Sequence, residues 1–414
     1  MLDIKFIREN SESVKKGIAK KGVDPKLVDS FLRLDEEWRD KTAAIDQLRA
    51  EHNLNTAELA KRRTDDLLGR AEIFKKQLSV LEEEKKKIEQ RRQGKLNLMP
   101  NLPFEDVPLG KNEKENKVIR EVGKKPILDF PPKNYLEIAE KLDLIDIKRA
   151  AKVSGTRFGF LKNQAALLEF ALVKLAFDEL VKNGFVPVVP PVMIKPKVFE
   201  GMGRLAGDQK EERYYLPKDD LYLVGSAEHT LGPLHMDEVL DEKDLPRRYV
   251  AFSTCFRREA GSYGKDTKGI LRVHQFDKVE MFCFVKPEDS EKEHQFLLSR
   301  QENLMQAIKL PYRVMEICTG EMGWTDARQY DIETWLPSEN RYRESHSCSN
   351  TTDFQARGIN AKYRDRKTGE TKFVHMLNAT AFAIGRTLIA IIENYQTKEG
   401  NFDIPKVLTP FLRA

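Results

Sequence analysis

Phe256-Arg257-Arg258-Glu259-Ala260-Gly261-Ser262, followed a few residues on by Arg272-Val273-His274-Gln275-Phe276, is the most telling passage of the chain. It reads as a strand, a glycine-containing loop and a second strand, with an arginine where the first strand ends. Side chains alternate faces along a strand. From Ile270 to Val285 the odd positions Leu271, Val273, Val279, Met281, Cys283 and Val285 are mostly apolar and can bury. Arg272, His274, Phe276, Lys278 and Glu280 then share the other face. Such a hairpin can clamp a nucleotide: Arg257 for a phosphate, Phe276 for a base to stack on, Glu280 for an amino group. A solvated sheet face with one aromatic would look the same on that strand alone. The Arg257 loop beside it favours the nucleotide.

The rest of the chain sets bounds on that reading. With 414 residues, two or three domains are expected. Hydrophobic residues at 40% and charged residues at 33% suit a globular protein carrying one highly charged element. The net charge of +5 permits a polyanionic partner without demonstrating one. Cys255, Cys283, Cys318 and Cys348 lie far apart with no CxxC pair, which argues against a disulfide framework or zinc ribbon. The opening Met1-Leu2-Asp3-Ile4-Lys5 has no apolar signal core, and no run is long enough to span a bilayer. A cytoplasmic protein with no membrane association is the expectation.

Residues 1 to about 105 have their own pattern. Leu27, Phe31, Leu34, Trp38, Lys41, Ile45, Leu48, His52, Asn55 and Leu59 step by alternating fours and threes. After a break near Arg62 to Asp66, Leu67, Ala71, Phe74, Leu78, Leu81, Lys85 and Ile88 repeat the alternation. Two heptad arms without internal proline predict an antiparallel helical hairpin. Pro100, Pro103 and Pro108 mark the exit into a linker. Basic groups crowd the remaining faces: Lys61, Arg62, Arg63, Arg70, Lys75, Lys76, Lys85 to Lys87, Arg91 and Arg92. Acidic residues such as Glu82 to Glu84 are interleaved, so a solvated coiled-coil surface and an arm that follows a nucleic-acid backbone both fit.

Beyond residue 109, strand-like runs alternate with amphipathic helices. A helix is predicted over Asn163 to Asn183, stopped by Gly184. An extended run follows over Phe185 to Val192, held by its prolines. Further strands are predicted over Tyr249 to Arg257, Tyr330 to Trp335 and Lys372 to Asn378, and a helix over Thr380 to Tyr395. Strands joined by hairpins point to an antiparallel sheet with flanking helices, an α+β fold. The expected domains are 1–108 for the hairpin and 109–414 for the sheet domain.

The Arg257 hairpin resembles motif 2 of the class II aminoacyl-tRNA synthetases. Gly184-Phe185 with Pro191-Val192 fits motif 1, whose proline lies in a dimer-interface strand, and Ala383-Ile384-Gly385-Arg386-Thr387-Leu388 fits motif 3. Each of the outer two is weak alone; their order around motif 2 is what carries weight. Glu344-Ser345-His346-Ser347-Cys348-Ser349-Asn350, running on to Asp353-Phe354-Gln355-Ala356-Arg357, is similar to the seryl-tRNA synthetases. So are Arg149 to Phe158, Tyr330 to Pro337 and the opening Met1 to Asn10. The resemblance covers nearly the whole chain, hairpin included.

The resemblance implies ATP and Mg²⁺, L-serine and serine tRNA as partners, and a homodimer. Arg257 would bind the α-phosphate and Glu259 the adenine, with Phe276 stacked on the base and Arg272 and Arg386 at the phosphates. Glu344 and Ser347 would be the Mg²⁺ ligands. The segments Arg257-Arg258-Glu259 and Glu344-Ser345-His346-Ser347 would line the ATP pocket. Serine would sit against Ser226-Ala227-Glu228, Arg257, Glu280, Asn378 and Thr380. The hairpin, through Arg62, Arg63, Arg70, Lys75 and Lys76, would grip the long variable arm of serine tRNA. Ser226 stands where the family usually has threonine, Arg258 where serine is usual, Gly358 where arginine is frequent, and Asn134 where histidine often is. His346 sits beside a ligand position where members vary. None of these removes a group the chemistry needs. The expected activity is serine–tRNA ligation through a seryl-adenylate, with charging of selenocysteine tRNA left open. Two rivals are an amino acid:carrier-protein ligase, which would lack the hairpin, and a non-catalytic paralogue, which would have lost Arg257, Glu344 or Arg386.

Overall fold

The computed structural model describes residues 1–260 and 268–412. Gly261 and Ser262 of the opening passage lie outside the described residues. The chain divides into two compact units, Leu2–Pro100 and a second that runs from Asn101.

The first unit is helical: α1 (Ile4–Glu9), α2 (Ser11–Lys20), α3 (Lys26–Lys61) and α4 (Asp65–Asn97). The last two are the hairpin arms, each on the order of 50 Å long at 1.5 Å per residue. Thr64 caps the second arm, its Oγ1 accepting from the Leu67 amide at 3.4 Å. The polar seam positions find partners across the hairpin. Asn55 is buried and donates to the Leu67 carbonyl (3.0 Å), Lys41 meets Glu84 (2.7 Å), and Lys85 lies over the Trp38 ring. Near the base, buried Asp35 takes the guanidinium groups of Arg8 (2.6 Å) and Arg92 (2.7 Å). Arg92, expected on the charged outer face, is therefore an internal counter-ion.

The second unit is built on one eight-stranded sheet: β1 (Lys117–Val122), β2 (Val186–Val188), β3 (Arg247–Phe256), β4 (Gln275–Val285), β5 (Tyr312–Glu316), β6 (Arg328–Leu336), β7 (Arg341–Asn350) and β8 (His375–Ala383). Their order is β1-β5-β6-β7-β8-β4-β3-β2, antiparallel throughout except for β2 beside β3. The architecture is α+β, as expected. Helices α5 (Asn163–Lys182), α6 (Ser290–Ala307) and α7 (Ile384–Asn394) cover one face. Leu168 and Leu172, Leu297 and Leu298, and Leu388 and Ile392 pack there on Val279, Met281, Cys283 and Val285, the odd positions of β4. The opposite face is divided: Phe282 and Phe284 pack with Tyr249, Leu231 and Met376 in a second apolar cluster, and the Phe276 to Glu280 end is left to polar groups. Gly184 ends α5 at φ +86°, a left-handed conformation that glycine adopts without strain.

Three expectations shift. The second unit begins at Asn101 rather than after Pro108, because Asn101 donates to the carbonyls of Thr325 and Thr351 (2.9 Å each) and Val107 packs with Met315. Residues 380–383 extend β8 instead of opening a helix, since Glu280 to Lys278 of β4 already pair with them. The strand expected from Ile270 starts at Gln275, opposite Phe256, where its partner β3 ends.

Candidate active site

Strands β4, β7 and β8 present one cleft on the polar part of that face, bordered by Arg257 and Glu259 and at one end by α7. Its lining includes Arg257, Glu259, Arg272, Phe276, Lys278, Glu344, Ser345, Ser347, Thr380 and Arg386. Residues more than 120 positions apart in sequence are thus gathered by the sheet order.

Arg257 is fixed at both ends. Its amide donates to the His274 carbonyl (3.0 Å) and its Nε to the Gly225 carbonyl (3.1 Å), with the guanidinium 5.3 Å from the Phe276 ring centre. Glu259 has a left-handed backbone (φ +53°), and its carboxylate accepts from Arg272 at 3.0 Å. Arg386, from the first turn of α7, meets Glu344 at 3.1 Å. The Arg386 charge holds the Glu344 carboxyl below its usual range against the pull of burial, with Arg257 adding to it.

Glu344 and Ser347 are three residues apart and on a regular strand would face opposite ways. The register of β7 against β6 slips between Glu344 and His346, so Ser345 is an unpaired extra residue. That bulge brings Glu344 and Ser347 to the same cleft. Ser345 turns inward beneath it, its Oγ 2.7 Å from both Thr334 Oγ1 and His346 Nδ1. His346 itself is buried, its pKa pushed down to about 4 by that burial, and it does not line the cleft.

Along the sheet the cleft runs to buried Glu280, which accepts from Thr380 Oγ1 at 2.9 Å and is ion-paired with Lys278. Burial pushes the Glu280 pKa up and Lys278 opposes it. Asn378 is buried nearby on β8, and its Nδ2 has no hydrogen-bond partner among the described residues.

A second lobe is lined by Arg204, Arg213, Glu228, His229, Arg257 and Trp324. Glu228 is engaged by Arg204 at 2.6 Å and lies 3.4 Å from His229. Burial alone would raise the Glu228 pKa, but Arg204, His229 and Lys278 hold it well below the usual range. Burial pushes the His229 pKa down to about 3, and its Nδ1 accepts from the Gly225 amide at 3.1 Å. Ser226 and Ala227 are buried; Ser226 Oγ accepts from the Glu228 amide (3.4 Å), and Ala227 packs in the core. Arg258 turns aside, 5.2 Å over the Tyr214 ring.

Sequence reasoning passed over Lys278 as a site residue, although the same alternation that singled out Phe276 and Glu280 contains it. It also missed Arg204 and Arg213, which sit in a stretch without periodicity or motif. On the helical unit, Arg62, Arg63, Arg70, Lys75 and Lys76 are all exposed. Arg62 and Arg70 lie near Glu58 (3.9 Å) and Asp66 (3.2 Å), pairs that solvent screens heavily.

An antiparallel sheet with an arginine-bearing loop, a carboxylate strand and a helix-borne arginine around one cleft defines a class II aminoacyl-tRNA synthetase core. The family model "tRNA synthetase class II core domain (G, H, P, S and T)" matches residues 213–395, and "Seryl-tRNA synthetase N-terminal domain" matches residues 1–103. A serine–tRNA ligase of Pyrococcus horikoshii is 43% identical over 99% of this chain and 95% of its own. That of Dictyoglomus turgidum is 42% identical over 100% and 98%. The crystal structure of the seryl-tRNA synthetase from P. horikoshii complexed with ATP superposes with a TM-score of 0.92 at 42% identity, covering 100% of this chain and 98% of that one. The cytoplasmic serine–tRNA ligase of Naegleria fowleri in complex with AMP gives 0.86 at 33% identity, covering 100% and 97%. The chain belongs to the seryl-tRNA synthetase family.

Proposed function

We propose that the protein activates L-serine with ATP and transfers it to the 3′ end of serine tRNA. One observation carries the reading: Arg257, Arg386, Glu344 and Phe276 line a single cleft that leads to the buried Glu280–Thr380 pair. The amino-acid carboxylate attacks the α-phosphorus of ATP, the bond to the β-phosphate oxygen breaks, and pyrophosphate leaves. Negative charge grows on phosphate oxygens, so preorganised Arg257 and Arg386 do most of the work. Phe276 offers a face for adenine, and the Glu280 carboxylate faces the substrate ammonium and hydroxyl with Thr380. Glu344 and Ser347 offer hard oxygen donors on one side of the cleft and fit Mg²⁺, which takes few protein ligands and completes its shell from phosphates and water. Mg²⁺ would neutralise phosphate charge there. In the second step a terminal ribose hydroxyl of tRNA attacks the carbonyl and AMP departs. The tRNA for selenocysteine, where one exists, falls within the same reading.

The exposed Arg62, Arg63, Arg70, Lys75 and Lys76 support a role for the hairpin in following a tRNA backbone. Leu167, Phe170 and Val181 of α5, with Val186 and Val189, are large apolar groups left at the surface, and they support a homodimer. Among the described residues no helix is long and apolar enough to cross a membrane; we place the protein in the cytoplasm.

The test is ATP–pyrophosphate exchange with serine, threonine, alanine and glycine in parallel, followed by tRNA charging across a salt series. Serine should exceed alanine and glycine by ~10⁴-fold, since those leave polar groups of the pocket unpaired. Threonine should be rejected by size alone, at about 10- to 200-fold. Charging should fall steeply with salt while exchange does not. No exchange in a folded, ATP-binding protein would instead make it a non-catalytic paralogue.

A further inference from the structure

Arg213 is a cation at the cleft without an ion-pair partner among the described residues, the Glu228 and Glu212 charges acting on it only from a distance. Its Nε is buried without a hydrogen-bond partner, and no described side chain forms an ion pair with it. The carboxylate that could serve, Glu228, is already held by Arg204 at 2.6 Å. The guanidinium stacks 5.4 Å over the buried Phe199 ring. Its Nη1 rests against Gly225, where a Cβ would come within 2.6 Å of it; Arg257 packs within 3.4 Å of the same point. Two arginines therefore converge on one glycine and line the same lobe. Burial, with the Arg257 and Arg204 charges, pushes the Arg213 pKa down.

A half-buried charge without an ion-pair partner is costly, and an apolar side chain on Phe199 would remove that cost. The arrangement makes sense if a ligand brings the anion. Activation presents two anionic groups, the ATP phosphates and the amino-acid carboxylate. Arg386 stands at the Glu344 end of the cleft. Arg213 stands at the other, with Glu228 and His229. Arg257 and Arg272 belong to both. We propose that Arg213 binds the carboxylate of the amino-acid substrate and lays it beside the α-phosphate held by Arg257. The proposal rests on the activation reaction above. Arg213 donates hydrogen bonds and moves no proton. Its anion disappears as the carboxylate becomes an acyl phosphate, so the interaction belongs to substrate binding more than to the transition state.

The experiment is pyrophosphate exchange with the full-length protein, its Arg213→Leu variant and its Arg213→Lys variant. The leucine variant should raise KM for serine by about tenfold or more, with KM for ATP and kcat little changed, and lysine should recover part of the loss. Competition by L-serinamide supplies the chemical control. The wild type should prefer serine over the amide, and Arg213→Leu should narrow that preference by the same factor as the KM change. Its thermal midpoint should be equal or higher, since a half-buried cation without an ion-pair partner has gone. A serine KM within twofold of wild type, an unchanged serine-to-serinamide preference, or a rise confined to KM for tRNA or for ATP overturns the assignment. If the wild type itself shows no serine-dependent exchange, the activation reading fails first and this one goes with it.

Discussion

Arg257 is oriented by its own chain before any substrate is present, through the Gly225 carbonyl on one side and His274 on the other. Such preorganisation is what electrostatic catalysis requires, because no solvent has to be rearranged as charge develops. Arg257→Ala should therefore lower serine-dependent exchange by at least 100-fold, roughly 3 kcal/mol of transition-state stabilisation, with the circular dichroism spectrum unchanged. A loss smaller than about tenfold would count against a phosphate-binding role. At this scale the sequence was legible where a period could be counted. Alternation alone put Phe276, Lys278 and Glu280 on one face. It could not bring in Arg204 and Arg213, which stand in irregular segments, nor show that His346 is buried while its neighbours Glu344 and Ser347 face the cleft.

Among the elements, the hairpin was read from its heptads, and the structure explains why its polar seam positions are tolerated: each has a cross-arm partner. Asp35 is the exception to the pattern, a buried carboxylate clamped by Arg8 and Arg92 from two other helices. Removing it would strand both guanidinium groups. Asp35→Ala should lower the local stability of α3 and α4 by about 3–5 kcal/mol, read as lost amide hydrogen-exchange protection in the full-length protein, while pyrophosphate exchange is retained. Burial would raise the Asp35 pKa, but the Arg8 hydrogen bond and the Arg92 charge outweigh it, and the folded value lies below the unfolded one. Its contribution is thus complete above the unfolded value of about 3.9 and disappears as pH falls through the folded one. In the sheet, the expected helix from Thr380 was misplaced because Thr-Ala-Phe-Ala carries no strong preference of its own; pairing with β4 decided it. The slip at Ser345 was illegible for a related reason, since a bulge is a property of two strands together.

For the molecule as a whole, the division into a helical arm and a sheet unit was visible in composition, and only its exact border needed the Asn101 hydrogen bonds. The apolar groups on α5 make a definite expectation about assembly. Phe170→Asp should shift the protein from dimer to monomer in sedimentation at micromolar concentration; a wild type that sediments as a monomer would remove the dimer from the reading. The two edges of the sheet bear on how such a dimer ends. Pro187 sits in the middle of β2 and has no amide hydrogen to offer a further strand. At the far edge, β1 carries Lys117, Arg120 and Glu121. Charge and proline at opposite borders deny a neighbouring sheet the continuous ladder it would need. Backbone pairing at either border is disfavoured, so the proposed dimer, formed through side chains, should stop at a closed pair instead of growing into a fibre.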